Sequence, residues 1–164
     1  MSGIYIHIPF CKQACHYCNY HFSTSLKNKE SVINSMIKEI EIKSIGNNDM
    51  IETIYFGGGT PSFFDTSEIN KIIDSISKKF KISTNPEITL EANPDDLSSI
   101  KVKELSNSFI NRLSIGIQSF NDRELKLMNR SHNSKEAKNC IDDALKYYDN
   151  ISIDLIFGMP DSNL

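Results

Sequence analysis

Five short apolar runs, each followed by a stretch of different periodicity, constrain this chain more than any other feature. They are Ile4 to Ile8, Thr53 to Phe56, Glu87 to Glu91, Arg112 to Ile117 and Ile151 to Phe157. Runs this short, rich in β-branched and aromatic residues, read as buried strands. Between them Val32, Ile33, Met36, Ile37 and Ile40 recur at helical spacing, and Ile69, Ile72, Ile73 and Ile76 repeat the pattern. Both stretches predict helices that pack one face. Asp65 with Glu68, and Asn121 with Glu124, have the spacing in which a cap residue and an acid satisfy each other's backbone amides at a helix start. A further helix is expected to begin at Ser134 and to run through Ala137, Ile141 and Leu145. Strands alternating with helices require parallel pairing through right-handed crossovers. The fold class is therefore α/β, either an open doubly wound sheet or a (β/α) barrel.

At 164 residues and 39% hydrophobic, the chain can bury one ordinary core. Its formal net charge of -3 gives no bulk electrostatic reason to expect a nucleic-acid partner or an anionic membrane surface. The opening MSGIYIHIPFC has no basic region, and no apolar stretch approaches the roughly 20 residues of a spanning helix. Neither a signal peptide nor membrane insertion is expected, and a cytoplasmic location follows, where thiols stay reduced. Four cysteines there point to metal ligation or redox chemistry rather than disulfides. The last strand closes on Gly158 to Leu164, where the alternation calls for a helix, so the chain is expected to be part of a longer protein.

In both β/α architectures function collects at the carboxyl ends of the strands. Here those ends carry Cys11, Cys15 and Cys18, then Gly57 to Pro61, then Glu91 to Pro94, then Gln118 to Phe120, and Asp154 within the last run. The cysteines have the spacing C-x3-C-x2-C, enough to hold three irons of an iron-sulfur cubane and leave the fourth open. A zinc site is the alternative, since Cys11, Cys15, Cys18 and His21 offer a Cys3His set. Cys140, beside Ile141 and Ala144, reads as a small core residue. Gly58 and Gly59 either permit a tight turn or let a ligand approach bare backbone; neither phosphate-binding glycine pattern is present. A small zwitterion suits such a backbone. His7 reads as a satisfied structural histidine, His16 and His21 as loop residues near the cysteines, and His132 as locally hydrogen-bonded.

Taken together, these motifs carry a resemblance. The cysteine triad followed by GGGTP resembles the radical S-adenosylmethionine (SAM) superfamily. The strings IYIHIPFC, YFGGGTPS, LEANP, IGIQSF, MNRSH and IDLIFGMP are similar to the oxygen-independent coproporphyrinogen III oxidase family over nearly the whole chain. The resemblance implies a partial (β/α)6 TIM-like barrel, of which residues 1–164 supply about five β/α units. A sixth strand and a C-terminal domain would lie outside it. It further implies that Cys11, Cys15 and Cys18 bind a 4Fe-4S cluster while SAM chelates the open iron through its amino and carboxylate groups, in reach of the electron that splits it. Tyr5 and Tyr17 would contact the cluster and SAM, and Gly58, Gly59 and Thr60 the methionyl end. Glu91, Gln118, Arg130 and Asp154 would contact the methionyl and ribose groups, and Ile156 the adenine side.

One position departs from the oxidases. They are similar through the triad but carry a further cysteine two positions after the third, where this chain has Tyr20. The chain instead resembles the oxidase-like branch, the HemW-type heme chaperones. That branch implies heme or porphyrinogen as ligand, a heme-acceptor protein and an electron donor as partners, and puts oxidative decarboxylation of coproporphyrinogen III in second place.

Overall fold

The computed structural model describes residues 2–160. Five strands, β1 (Ser2–Ile8), β2 (Met50–Gly58), β3 (Lys81–Ala92), β4 (Arg112–Gln118) and β5 (Ile151–Leu155), form one parallel sheet in chain order. Sequential order distinguishes the two architectures left open by the alternation. A doubly wound sheet reverses its strand order at a switch point, whereas a barrel wall does not. Here each strand pairs with the next, so the strands build a barrel wall.

Helices α1 (Lys29–Ser44), α2 (Thr66–Lys79), α3 (Ser99–Ser106), α4 (Asp122–Leu127) and α5 (Ser134–Ala144) fill the crossovers. The expected capping box forms at α2, where Asp65 and Glu68 satisfy each other's backbone amides. The one expected at α4 does not. Asn121 does cap, accepting from Arg123 N, but Glu124 accepts from the Ser119 hydroxyl instead of reaching back to Asn121. A capping box forms instead at α5, between Asn133 and Glu136. Helix α3 is an addition to the sequence reading, and β5 ends at Leu155 rather than Phe157. Asp161 to Leu164, with which the sequence stops where a helix is expected, lie outside the described residues.

Alternation along the strands separates two faces. Ile6, Ile8, Ile54, Phe56, Ile88, Leu90, Leu113 and Ile115 are buried with Ile69, Ile72, Ile73 and Ile76 of α2 and Val102 and Leu105 of α3. The other face is polar. Tyr55 donates to Glu91 at 2.8 Å, the Arg112 guanidinium donates to Thr89 and Ser152, and Ser152 donates to Ser114. Strands of a parallel sheet buried on both faces read as continuous apolar runs. These strands instead leave a polar inner face that does not fill with hydrocarbon, and the site opens at its upper end. Because Ile72 is fully buried, replacing it with alanine is expected to cost about 2–5 kcal/mol of stability, read by urea unfolding of the full-length protein.

Candidate functional site

The cysteines lie on a loop that leaves β1 and is held at both ends. Near its start, Ser23 N donates to Pro9 O at 2.8 Å and Cys11 N donates to Ser23 O at 3.1 Å, closing the loop onto itself. Its middle docks on the end of α4. His16 N donates to Met128 O, the His16 ring bonds Leu127 O, Gln13 donates to Asn129 O, and the Asn129 amide donates to Ala14 O at 2.7 Å. Asn129 adopts φ 56°, a left-handed conformation that asparagine tolerates better than most residues. The string MNRSH is thus a platform for the loop as well as the source of Arg130.

Cys11, Cys15 and Cys18 line one cavity of about 470 Å³ at the carboxyl ends of the strands. Tyr5, Tyr17, Gly58, Gly59, Thr60, Glu91, Gln118, Arg130 and Asp154 line it too, so these expected residues from five strand ends share one space. Ile156 is the exception. It follows β5, donates its N–H to Gln118 O at 2.9 Å and is not among the lining residues. Asn93, Gln13, Ser114 and Gly116 line the cavity without having been assigned a role from the sequence. Of these Asn93 and Gly116 carried a signal, in the strings LEANP and IGIQSF.

The charges at the cavity are held by specific partners. Arg130 donates through Nη1 to Cys15 Sγ at 3.4 Å and to Tyr17 Oη at 3.1 Å, and through Nη2 to Asn93 Oδ1 and Gly116 O, both at 2.7 Å. The Glu91 carboxylate accepts from Tyr55 and from Gly58 N at 3.1 Å. Burial nonetheless holds the Glu91 carboxyl above the usual carboxylate range, outweighing the pull of those two donors, and nearby Asp154 adds to the rise. Burial likewise pushes the Tyr17 phenol up to about 12, against the Arg130 charge.

The glycines serve the protein's own packing. Gly58 has φ +108°, and the His7 ring lies where its side chain would be. Gly59 N donates to Ile8 O and Thr60 N to Phe10 O, each at 2.7 Å. With the N–H groups of Gly58, Gly59 and Thr60 all taken, a ligand reaching this run meets carbonyl acceptors, which suit an amino group. His7 is satisfied, by Tyr5 Oη and His21 O, but it sits half-buried on the polar face rather than in the core. His132 is buried and bonds Ile117 O, while Cys140 is buried with its thiol donating to Ala137 O.

The residues present fit the two groups implied by the resemblance. Three unpaired thiols at one cavity are the soft donors of an iron-sulfur cluster. The Arg130 guanidinium, which bonds Cys15 through Nη1, keeps one buried donor, Nε–H, without an acceptor, which suits an incoming carboxylate.

Comparison with known proteins agrees with this geometry. The model of the Radical SAM superfamily matches residues 5–164. The chain is 40% identical over 165 residues to the heme chaperone HemW of Buchnera aphidicola subsp. Acyrthosiphon pisum, covering 99% of this chain and 44% of that one. It is 37% identical over 169 residues to HemW of Bacillus subtilis, again covering 44% of the relative, so it spans less than half the length of either. Among solved structures, coproporphyrinogen III oxidase (HemN) from Escherichia coli superposes with a TM-score of 0.89 at 25% identity, over 98% of this chain and 38% of that one. The wall of five strands is accordingly part of a TIM-like barrel of the HemN type. Proteins of the matched superfamily use a 4Fe-4S cluster and S-adenosylmethionine. By the match over residues 5–164 and the cysteine-lined cavity at the strand ends, the chain belongs to the radical SAM superfamily.

Proposed function

We propose that residues 1–164 form the radical SAM core of a longer heme chaperone of the HemW type, which acts in the cytoplasm on heme and a heme-acceptor protein. The observation that carries the reading is that all three triad thiols line one cavity together with Arg130, Glu91 and Asp154. Cys11, Cys15 and Cys18 would hold the cluster, and SAM would bind beside it through its methionyl amino and carboxylate groups. When bound, the cluster supplies the electron that cleaves the sulfonium, drawn from a separate electron donor. The chain's own residues receive and orient the ligand. Carbonyls of the glycine run accept from the amino group, the one uncommitted Arg130 donor, Nε–H, is offered to the carboxylate, and Glu91 and Asp154 accept from ribose hydroxyls with Gln118 beside them. Tyr5 and Tyr17 wall the site, and Ile156, one residue beyond β5, reaches the adenine side only if the segment after Leu155 folds inward.

Exposed Ile153 and Leu155 of β5, with exposed Phe157 two residues beyond it, support a further β/α unit packed against this margin. No helix among the described residues is long and apolar enough to cross a membrane. Tyr20 in place of the oxidases' further cysteine, together with the names of the most similar curated relatives, favours chaperone over oxidase.

The test is anaerobic reconstitution of the full-length protein with iron and sulfide. Electron paramagnetic resonance of the reduced cluster is expected to show a 4Fe-4S signal that shifts on adding SAM. Heme added to the same protein should give a saturable Soret shift, with no decarboxylation of coproporphyrinogen III under reducing conditions. Turnover to protoporphyrinogen IX would instead make it an oxidase, and stoichiometric zinc without a cluster signal would remove the radical SAM reading altogether.

A further inference from the structure

Asn93 lies between the two side chains that hydrogen-bond the triad, and its own bonds decide which way both of them face. Its amide cannot be oriented arbitrarily. Arg130 Nη2 lies 2.7 Å from it, and a guanidinium has only donors, so the atom it meets must be Oδ1. Nδ2 then faces Thr60 Oγ1 at 3.2 Å and donates to it. A threonine hydroxyl has a single proton. With Oγ1 accepting from Asn93, that proton is left for Cys11 Sγ, 3.4 Å away. On the other side, Arg130 Nη1 donates to Cys15 Sγ, also at 3.4 Å.

One amide thus feeds two chains of hydrogen bonds that end on two different cysteines. Its backbone is fixed as well. Asn93 N donates to the Ser62 hydroxyl at 3.1 Å, and Ser62 donates to Asp96 at 2.8 Å. Asp96 pairs in turn with Lys12, the residue after Cys11. The network therefore leaves the cysteine loop at Lys12 and returns to it at Cys11 and Cys15. Thr60 is buried, and its hydroxyl has both of these partners in place.

We propose that Asn93 is a positioning residue that sets the reduction potential of the cluster by holding the Thr60 and Arg130 donors on Cys11 and Cys15. The inference rests on the cluster reading above. Hydrogen bonds to ligating sulfurs stabilise the extra negative charge of the reduced cluster and raise its potential. Removing the amide lets the Thr60 proton and the Arg130 fork turn elsewhere, and the potential falls. Thr60 and Arg130 act directly; Asn93 acts through them.

The experiment is a double-mutant cycle on the full-length, cluster-reconstituted protein, read as the midpoint potential by spectroelectrochemistry without SAM. N93A is expected to move the potential to a more negative value, and T60V to do so by a smaller step, since it removes one donor of two. On the N93A background the T60V step should shrink to less than half its size, because the hydroxyl is no longer directed at Cys11. T60S keeps the proton and should return the potential to that of the wild type. If N93A does not retain four irons per chain, N93D reads the same coupling. It preserves shape and the acceptor for Arg130, yet draws the Thr60 proton away from Cys11, and T60V on top of it should add little. Equal T60V steps on both backgrounds, or an N93A potential equal to that of the wild type, would overturn the proposal. A wild type that assembles no 4Fe-4S cluster would instead overturn the cluster reading on which it rests.

Discussion

Replacing Cys15 by alanine in the full-length protein is expected to abolish the SAM-responsive 4Fe-4S signal, whereas replacing Cys140 is expected to leave it intact. A cubane held by three thiolates has none to spare, and the neighbours of Cys15 are committed elsewhere. The His16 ring bonds Leu127 O at 3.0 Å, and the Tyr17 hydroxyl bonds Arg130. The fourth cysteine cannot move in. Cys140 is 3% exposed, its thiol donates to Ala137 O, and burial pushes its pKa up to about 12, far from the thiolate form that binds metal. C140A should therefore retain four irons and lose only about 1 kcal/mol through the small cavity it leaves. Iron and sulfide analysis with electron paramagnetic resonance separates the variants. Four irons and an unchanged SAM shift in C15A would mean that the triad is not the ligand set.

That contrast between cysteines was legible from sequence because each kind of environment has its own pattern. Cys140 sits at helical spacing among apolar residues, while the other three crowd one strand end with polar company. The same holds for the strands, whose β-branched runs announced themselves, and for α2, where a four-isoleucine stripe follows an Asp65 to Glu68 box. Helix α3 did not announce itself. Only Val102 and Leu105 of its eight residues are buried, too few to establish a period, and Ile100 is 71% exposed. Nor does spacing decide between rival hydrogen-bond partners. The Asn121 to Glu124 interval is right for a capping box, but Ser119, five residues before Glu124, takes the carboxylate first.

The strand order was beyond local patterning altogether. Alternating β and α segments fit both a doubly wound sheet and a barrel, and only the pairing of each strand with its successor separates them. The site shows the same division. Residue types that do chemistry at strand ends could be collected from the sequence, but the role of Asn93 depends on what lies at both ends of its amide. Arg130 comes from a segment 37 residues away and Thr60 from one 33 residues away in the other direction. Ile156 shows the converse, since a residue type carried over by motif need not reach the cavity wall.

Gly59 carries the other large effect, through a packing contact that no sequence pattern shows. Gly59 lines the cavity, and on its α-carbon side the chain itself makes the close approach. A methyl group added to Gly59 would lie 2.6 Å from Phe10 O, 2.8 Å from Ile8 O and 2.9 Å from Phe10 N. All three are backbone atoms, so no side chain can rotate to make room. The segment must shift, and with it go the bonds from Gly59 N to Ile8 O and from Thr60 N to Phe10 O. Cys11 is the next residue. G59A is therefore expected to cost about 1–3 kcal/mol of stability and to lower the iron content well below four per chain, because the loop's first ligand is displaced. Gly46 supplies the control. It has φ +74° with nothing within 4 Å of an added methyl, so G46A carries only the conformational cost of about 1 kcal/mol and should keep its cluster. Urea unfolding and iron analysis on both variants distinguish close approach from backbone strain. A G59A protein with four irons and the stability of G46A would show that the cysteine loop does not depend on this contact.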